Sequence, residues 1–190
     1  MALLSKILRF FLRQIQSLFF FLRTIKLKLL YPGITIDFKT KIQSNCSIAC
    51  IKGGKLIISN SNISFGTHIL ADTNGTLSIE DSFIGRNCVI TAKESITIKK
   101  GCLIAEMVVI RDQDHIINNL SGENPREEFS TAPIEIEENV WIASKATILK
   151  GVTIGKYSVI AASAVIIEDV PAYELWGGIP AKFIKQLKNK

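Results

Sequence analysis

Two histidines occur in the chain, His68 and His115, and the second sits where it could move a proton. His115 closes the run Arg111-Asp112-Gln113-Asp114-His115. An imidazole titrates near neutral pH, so it can take a proton from a hydroxyl or an amine, and a neighbouring carboxylate can fix its tautomer. Acyl transfer to such an acceptor needs that chemistry, with His115 as general base and Asp112 or Asp114 orienting it. The same pattern also fits an exposed loop histidine, and the residues alone leave both readings open. His68 falls at a turn position at the end of a repeat unit and reads as structural. The four cysteines, Cys46, Cys50, Cys88 and Cys102, form no C-x-x-C pair and no zinc-ligand spacing. Cys46, Cys88 and Cys102 fall at small inward positions of the repeat described next, where a thiol behaves as a small hydrophobe. Cys50 has no sequence neighbour that would activate it, and no metal site is expected.

The element that must carry His115 is a repeat. From Ile136 to Pro171 isoleucine returns every six residues, at Ile136, Ile142, Ile148, Ile154, Ile160 and Ile166. A helix face recurs at three and four residues and a half-buried strand at two, so a beat of six marks short strands joined by turns. Four residues after each isoleucine comes a mostly small residue: Val140, Ala146, Val152, Ser158, Ala164, Val170. The simplest geometry is a parallel β-solenoid with three flat faces, in which the isoleucines stack inside and the small residues fill the corners. Upstream, aliphatics at Ile36, Ile42, Ile48, then Ile57, Ile63, Ile69, then Ile79, Ile84, Ile90, then Ile98, Ile104, Ile110 continue the pattern, with one short step from Ile79 to Ile84. The expected fold class is an all-β solenoid of about six coils. The beat breaks once, over 111–133, in a polar segment that contains His115; a loop of that length inside so regular a domain points to function.

Both ends differ from the repeat. Six of the 23 basic residues and no acidic residue lie in the first 30 positions, so the remainder carries 17 of each sign and offers no basic stripe for nucleic acid. Lys6, Arg9, Arg13, Gln16 and Arg23 share one helical stripe, with Leu4, Phe11, Leu18 and Phe21 opposite. The longest uncharged run, Gln14 to Leu22, is too short to span a membrane, and basic residues interrupt any signal-peptide core. Residues 1–30 therefore read as a basic amphipathic helix for peripheral membrane contact, or as a helix packed on the solenoid or on a partner subunit. Tyr31-Pro32-Gly33 ends it. The β-helix is expected over 31–171 and a capping tail over 172–190, where Phe183, Ile184 and Leu187 at helical spacing suggest a short C-terminal helix.

The stretch APIEIEENVWIASKATILKGVTIGKYSVIAASAVIIEDVPAYELWGGIPAKFIKQ, with its six-residue beat, resembles the bacterial hexapeptide-repeat acetyltransferases, and the likeness extends over residues 57–187. The resemblance implies a left-handed parallel β-helix, acetyl-CoA as acetyl donor, and a homotrimer with sites between subunits. It also implies that His115, upstream of Asn139-Val140-Trp141-Ile142, is the general base. Carried over by position, Ser144 and Ala162 would face acetyl-CoA, Lys182 and Lys185 would meet its phosphates, and Trp141 would line the site near the acceptor. Two departures stand out. Sugar acetyltransferases of the family often have Thr-Lys where this chain has Ile167-Glu168, and the family's acceptor-binding asparagine aligns with Gly85, Asn87 lying two residues on. The implied function is O-acetylation of a sugar in capsule, lipopolysaccharide or another surface glycan, with a glycan or lipid-linked saccharide as acceptor. N-acetylation of an amino sugar or antibiotic and a non-catalytic scaffold are the alternatives, whereas a three-histidine zinc hydratase cannot be drawn from two histidines. The expected location is cytoplasmic, or peripheral on the inner face of the cell membrane.

Overall fold

The computed structural model describes residues 2–116 and 129–188. The chain winds into a left-handed parallel β-helix of about six coils, preceded by one helix. Each coil contributes one strand to each of three parallel sheets. Sheet A stacks Ile34–Ile36, Lys55–Ser59, Thr76–Glu80, Ser95–Ile98, Ile134–Ile136 and Thr153–Ile154. Sheet B begins at Lys41–Ile42 and sheet C at Ser47–Cys50, and both climb with the same order. Inside, Ile42, Ile63, Ile84, Ile104, Ile142 and Ile160 form one column and Ile48, Ile69, Ile90, Ile110, Ile148 and Ile166 another, all buried. Full burial of such side chains contributes roughly 1.5–3 kcal/mol each.

One position in the upstream repeat is corrected. Ile57 points out of sheet A and is exposed, while Leu56 and Ile58 on either side fill the core. Because strand side chains alternate, a one-residue slip exchanges inside for outside. The repeated pair that marks the true register is Ile34/Ile36, Leu56/Ile58, Leu77/Ile79 and Ile96/Ile98.

The vertices between sheets are made by small residues and left-handed backbone. Cys88, Cys102, Val108, Val140, Ala146, Val152, Ser158, Ala164 and Val170 are buried there. Polar vertex residues bond along the stack: the Ser82 hydroxyl donates to the Lys99 carbonyl at 2.9 Å and accepts from the Cys102 amide at 3.1 Å. Asn45, Asn60, Asp81, Asn87 and Asn139 hold positive φ, the conformation that short amide and carboxylate side chains tolerate best. Gly66 (φ 74) stacks against Asn87, whose side-chain oxygen occupies the space a Cβ would need. His68 opens the strand His68–Ala71 on sheet C, half-buried between Ser47 and Val89, so the turn expected there is a strand.

Helix α1 (Ala2–Leu30) closes one end of the prism. Thr24 is buried, Leu27 and Tyr31 pack on the core, and the Arg23 guanidinium donates to the Ile42 carbonyl at 2.9 Å. Its other face, including Ile7, Phe11, Leu18 and Leu22, is exposed. The far end is closed by an antiparallel hairpin of Glu174–Gly178 and Ala181–Gln186, not by the helix that the spacing of Phe183, Ile184 and Leu187 suggests. That spacing covers barely one turn, whereas pairing with the open edge of sheet B satisfies a row of backbone groups that a helix would leave bare. Trp176 from this hairpin buries over Ile160 as the last rung.

Cys88 and Cys102 are fully buried, and their thiols donate to the Ala105 and Glu137 carbonyls at 3.0 Å. Cys46, on the rim of the first coil, faces inward in the same way, packing on the core and donating to the Ser64 carbonyl at 3.1 Å, but it is only half-buried. Burial pushes the Cys88 and Cys102 thiols up to about 11. Both should therefore resist a thiol reagent at neutral pH until denaturant is added; modification of either in the folded protein, located by peptide mapping, would contradict this core.

Candidate active site

The fourth coil ends with Val109–Arg111 on sheet C, and the chain then leaves the solenoid at the vertex between sheets C and A. It returns to sheet A at Ile134. The base of the excursion is a two-stranded antiparallel ribbon, Gln113–His115 against Phe129–Thr131. Residues 117–128, within the inserted loop, lie outside the described residues.

Three contacts fasten the ribbon to the coil below. Asp112 is fully buried, and its carboxylate accepts the Lys93 amide at 2.9 and 3.1 Å and the Glu94 amide at 2.8 Å. Burial pushes the Asp112 carboxyl up from its ordinary range, against the pull of those amides. Its own carbonyl accepts the Ala132 amide at 3.0 Å. The carboxamide of Gln113 meets the Thr91 hydroxyl at 3.1 Å. One residue on, alternation turns Asp114 toward the coil above, where it pairs with Lys150 at 3.0 Å; Lys150 also donates to the Ser130 hydroxyl at 2.9 Å.

His115 returns to the lower side. Its ring lies 4.3 Å from that of Phe129, directly across the ribbon. The other neighbour of Phe129 is the Lys93 ammonium, 4.1 Å from its ring centre, and Lys93 in turn pairs with Asp72 at 2.7 Å. Burial works against the Asp72 charge, but the Lys93 ammonium and the Thr73 hydroxyl hold its carboxyl below the ordinary range. Asp112 thus bonds backbone amides, Asp114 pairs with Lys150, and an aromatic ring stands beside His115. Phe129 carried no signal in the sequence, since it closes a polar insertion and meets His115 only through ribbon pairing.

The residues expected to hold acetyl-CoA gather elsewhere. Trp141 stands on the outer face of sheet B, half exposed, between Leu103 and Val159. Ser144 and Ala162 lie at the vertex between sheets B and C in successive coils, where the Ser163 amide donates to the Ser144 carbonyl at 2.9 Å. Lys182 and Lys185 are exposed on the terminal hairpin, which extends sheet B. Lys182 pairs with Glu168, the residue that departs from the family pattern. In a three-faced prism the vertex between C and A lies opposite face B. One chain therefore brings Trp141, Ser144, Ala162 and the two lysines to one side and holds His115 on another.

Residues 133–168 match the family model for the bacterial transferase hexapeptide (six repeats), and residues 77–110 match that for the hexapeptide repeat of succinyl-transferase. A hexapeptide-repeat containing acetyltransferase of Vibrio cholerae is 32% identical in its solved structure, with 72% of this chain and 75% of that one covered and a TM-score of 0.62. A second structure of it, complexed with acetyl-CoA, covers 88% of this chain and 77% of that one at 25% identity and a TM-score of 0.59. Galactoside O-acetyltransferase of Escherichia coli (strain K12) is 32% identical over 130 residues, 68% of this chain and 57% of that protein. A putative acetyltransferase of Schizosaccharomyces pombe is 36% identical over 108 residues, 57% of this chain and 51% of that protein. The chain thus spans about a quarter to about half of the length of the curated relatives it matches. It belongs to the hexapeptide-repeat transferase family.

The placement of Asp112 has a measurable consequence. Asp112→Asn keeps one acceptor oxygen but turns an NH₂ group toward buried amides, so it should destabilise the fold by about 1–3 kcal/mol. Urea denaturation checks this, and an unchanged midpoint would contradict the anchoring role.

Proposed function

We propose that the protein is an acetyl-CoA-dependent O-acetyltransferase that modifies a sugar hydroxyl in a surface glycan. The observation that carries this reading is His115 on a braced ribbon at the single insertion of a hexapeptide solenoid, in a chain similar to a galactoside O-acetyltransferase over 130 residues. In the proposed reaction, a ring nitrogen of His115 takes the acceptor hydroxyl proton as that oxygen attacks the thioester carbonyl. The tetrahedral oxyanion collapses with cleavage of the C–S bond, giving an O-acetyl ester and coenzyme A, whose thiolate takes up a proton. A backbone N–H beside the cofactor groove would stabilise the oxyanion. No acyl-enzyme is required, and the raised pKa of Cys88 and Cys102 argues against a cysteine nucleophile there. Phe129 holds the His115 ring, and the Lys93–Asp72 pair backs Phe129.

The site is assembled between copies of the chain, in a homotrimer. Supporting this is the separation of His115 from face B, together with the outward column Phe83, Leu103, Trp141, Val159 and Leu175 on that face. Of these, Phe83, Leu103 and Trp141 are 40%, 55% and 50% exposed, an apolar stripe suited to a partner's surface. No helix among the described residues is long and apolar enough to cross a membrane. We read α1 as lying in the membrane interface with its Leu/Phe face inward, on the cytoplasmic side where lipid-linked glycans would be acetylated. Six cations and the absence of acid in this segment support that reading.

Acetyl-CoA thiol release against a panel of glycans and amino sugars tests the activity. His115→Ala should lower turnover by about 10²–10⁴ with acetyl-CoA affinity nearly unchanged; full turnover, or acetyl label retained on denatured protein, would overturn the mechanism. A panel answered only by amines would replace the hydroxyl acceptor with an amino one. Leu103→Glu places a charge in the proposed interface and should yield folded monomers by sedimentation with transfer lost. A Leu103→Glu protein that stays oligomeric and active would place the interface elsewhere.

A further inference from the structure

Helix α1 is turned in an unexpected sense: it leaves most of its apolar face bare and directs its polar side, flanked by Phe20 and Phe21, toward the solenoid. Between that polar side and the first two coils lies an open cleft of ≈490 Å³, walled by Phe20 and Phe21 of the helix and by Phe38, Lys39, Lys41 and Asn62 of the coils. It runs on into a second of ≈430 Å³ that shares Phe20, Lys41 and Asn62 and adds Arg13. No carboxylate lines either one. The acids nearest in sequence are engaged: Asp37 accepts from the Thr40 amide and hydroxyl and from the Asn60 amide, and Asp81 accepts from the Asn60 carboxamide. Among the described residues, Arg13, Lys39 and Lys41 enter no ion pair, unlike Lys93, Lys99, Lys100, Lys150 and Lys182.

Three cations around one cleft repel each other, and an anion between them relieves that repulsion. Aromatic walls beside the cations, with Phe21 and Phe38 rings 5.1 Å apart, suit a ligand whose charged group continues into apolar matter. The Asn62 carboxamide, whose oxygen has no hydrogen-bond partner among the described residues, and the Ser17 hydroxyl suit hydroxyls next to the charge. If the bare face of α1 rests on acyl chains, this cleft opens at the level of the headgroups. We infer that the cleft between α1 and the first two coils binds the phosphate-bearing headgroup of an anionic lipid. The inference rests on the reading of α1 as an interfacial helix. It concerns the A–B vertex of the first coils, apart from the C–A vertex where His115 sits.

Flotation of the full chain with vesicles of phosphatidylcholine, with and without phosphatidylglycerol, tests it. Each cation facing an anionic surface contributes roughly fivefold, so Arg13→Gln/Lys39→Gln/Lys41→Gln should weaken binding to phosphatidylglycerol vesicles about a hundredfold. Phosphatidylglycerol vesicles should also shield Lys39 and Lys41 from an amine-reactive ester while Lys55, outside the cleft, stays reactive. If Phe11→Asp/Leu18→Asp abolishes binding but the cleft variant binds as the parent does, the interfacial helix stands and the headgroup site is overturned. If the parent chain ignores anionic vesicles altogether, both fall. Shielding of Lys39 and Lys41 by inorganic phosphate and not by vesicles would assign the cleft to a soluble phosphate ester and overturn the lipid assignment.

Discussion

Everything in this molecule depends on the way isoleucine columns fill the prism. A single coil of two- to five-residue strands cannot bury its own inward side chains; each is covered only by the coils above and below it, so stability is a property of the stack. The same requirement dictates the vertices. Between flat sheets the chain must turn in about four residues around a small buried side chain, which forces left-handed backbone at positions such as Asn87 and Asn139. It also dictates the ends, where an uncovered rung would expose apolar surface: Thr24, Leu27 and Tyr31 of the helix segment cover one, and Trp176 of the hairpin covers the other.

A body this regular has smooth faces, so chemistry has to come from departures. The insertion after the fourth coil is one, and its base is not loose. Asp112 below and the Asp114–Lys150 pair above fix the ribbon between neighbouring coils, and Phe129 lies against His115. The terminal hairpin is another. Its Lys182 is held by Glu168 on a solvated surface, where an ion pair contributes at most about 1 kcal/mol, so the ammonium can exchange that partner for a phosphate at little expense. The insertion and the hairpin-bearing face occupy different sides of one prism, and the proposed site unites them across two copies.

The repeat was legible in the sequence because its cause is local: one inward isoleucine per face, at constant spacing. Where the coils lengthen, as near Ile57, spacing alone misassigns the inward residue, and only the paired positions Leu56 and Ile58 reveal it. His115 was visible as a titratable group at the break in the beat. Its neighbours were not, since Phe129 reaches it through antiparallel pairing across an insertion, and Asp112 is drawn to the Lys93 and Glu94 amides of another coil. The terminal segment misled for a related reason. Phe183 and Ile184 suit a helix or a strand equally, and the open edge of sheet B, a tertiary feature, decides between them.

The central claim is that His115 of one copy serves the face of another that carries Trp141. Refolding His115→Ala chains together with Trp141→Ala chains, each inactive alone, tests this most directly. Mixed assemblies contain some junctions with both native halves, so acetyl-CoA turnover should reappear on mixing. If the mixture forms hetero-oligomers by mass yet shows no more transfer than its parents, the two residues do not meet across copies and the account of the site is wrong.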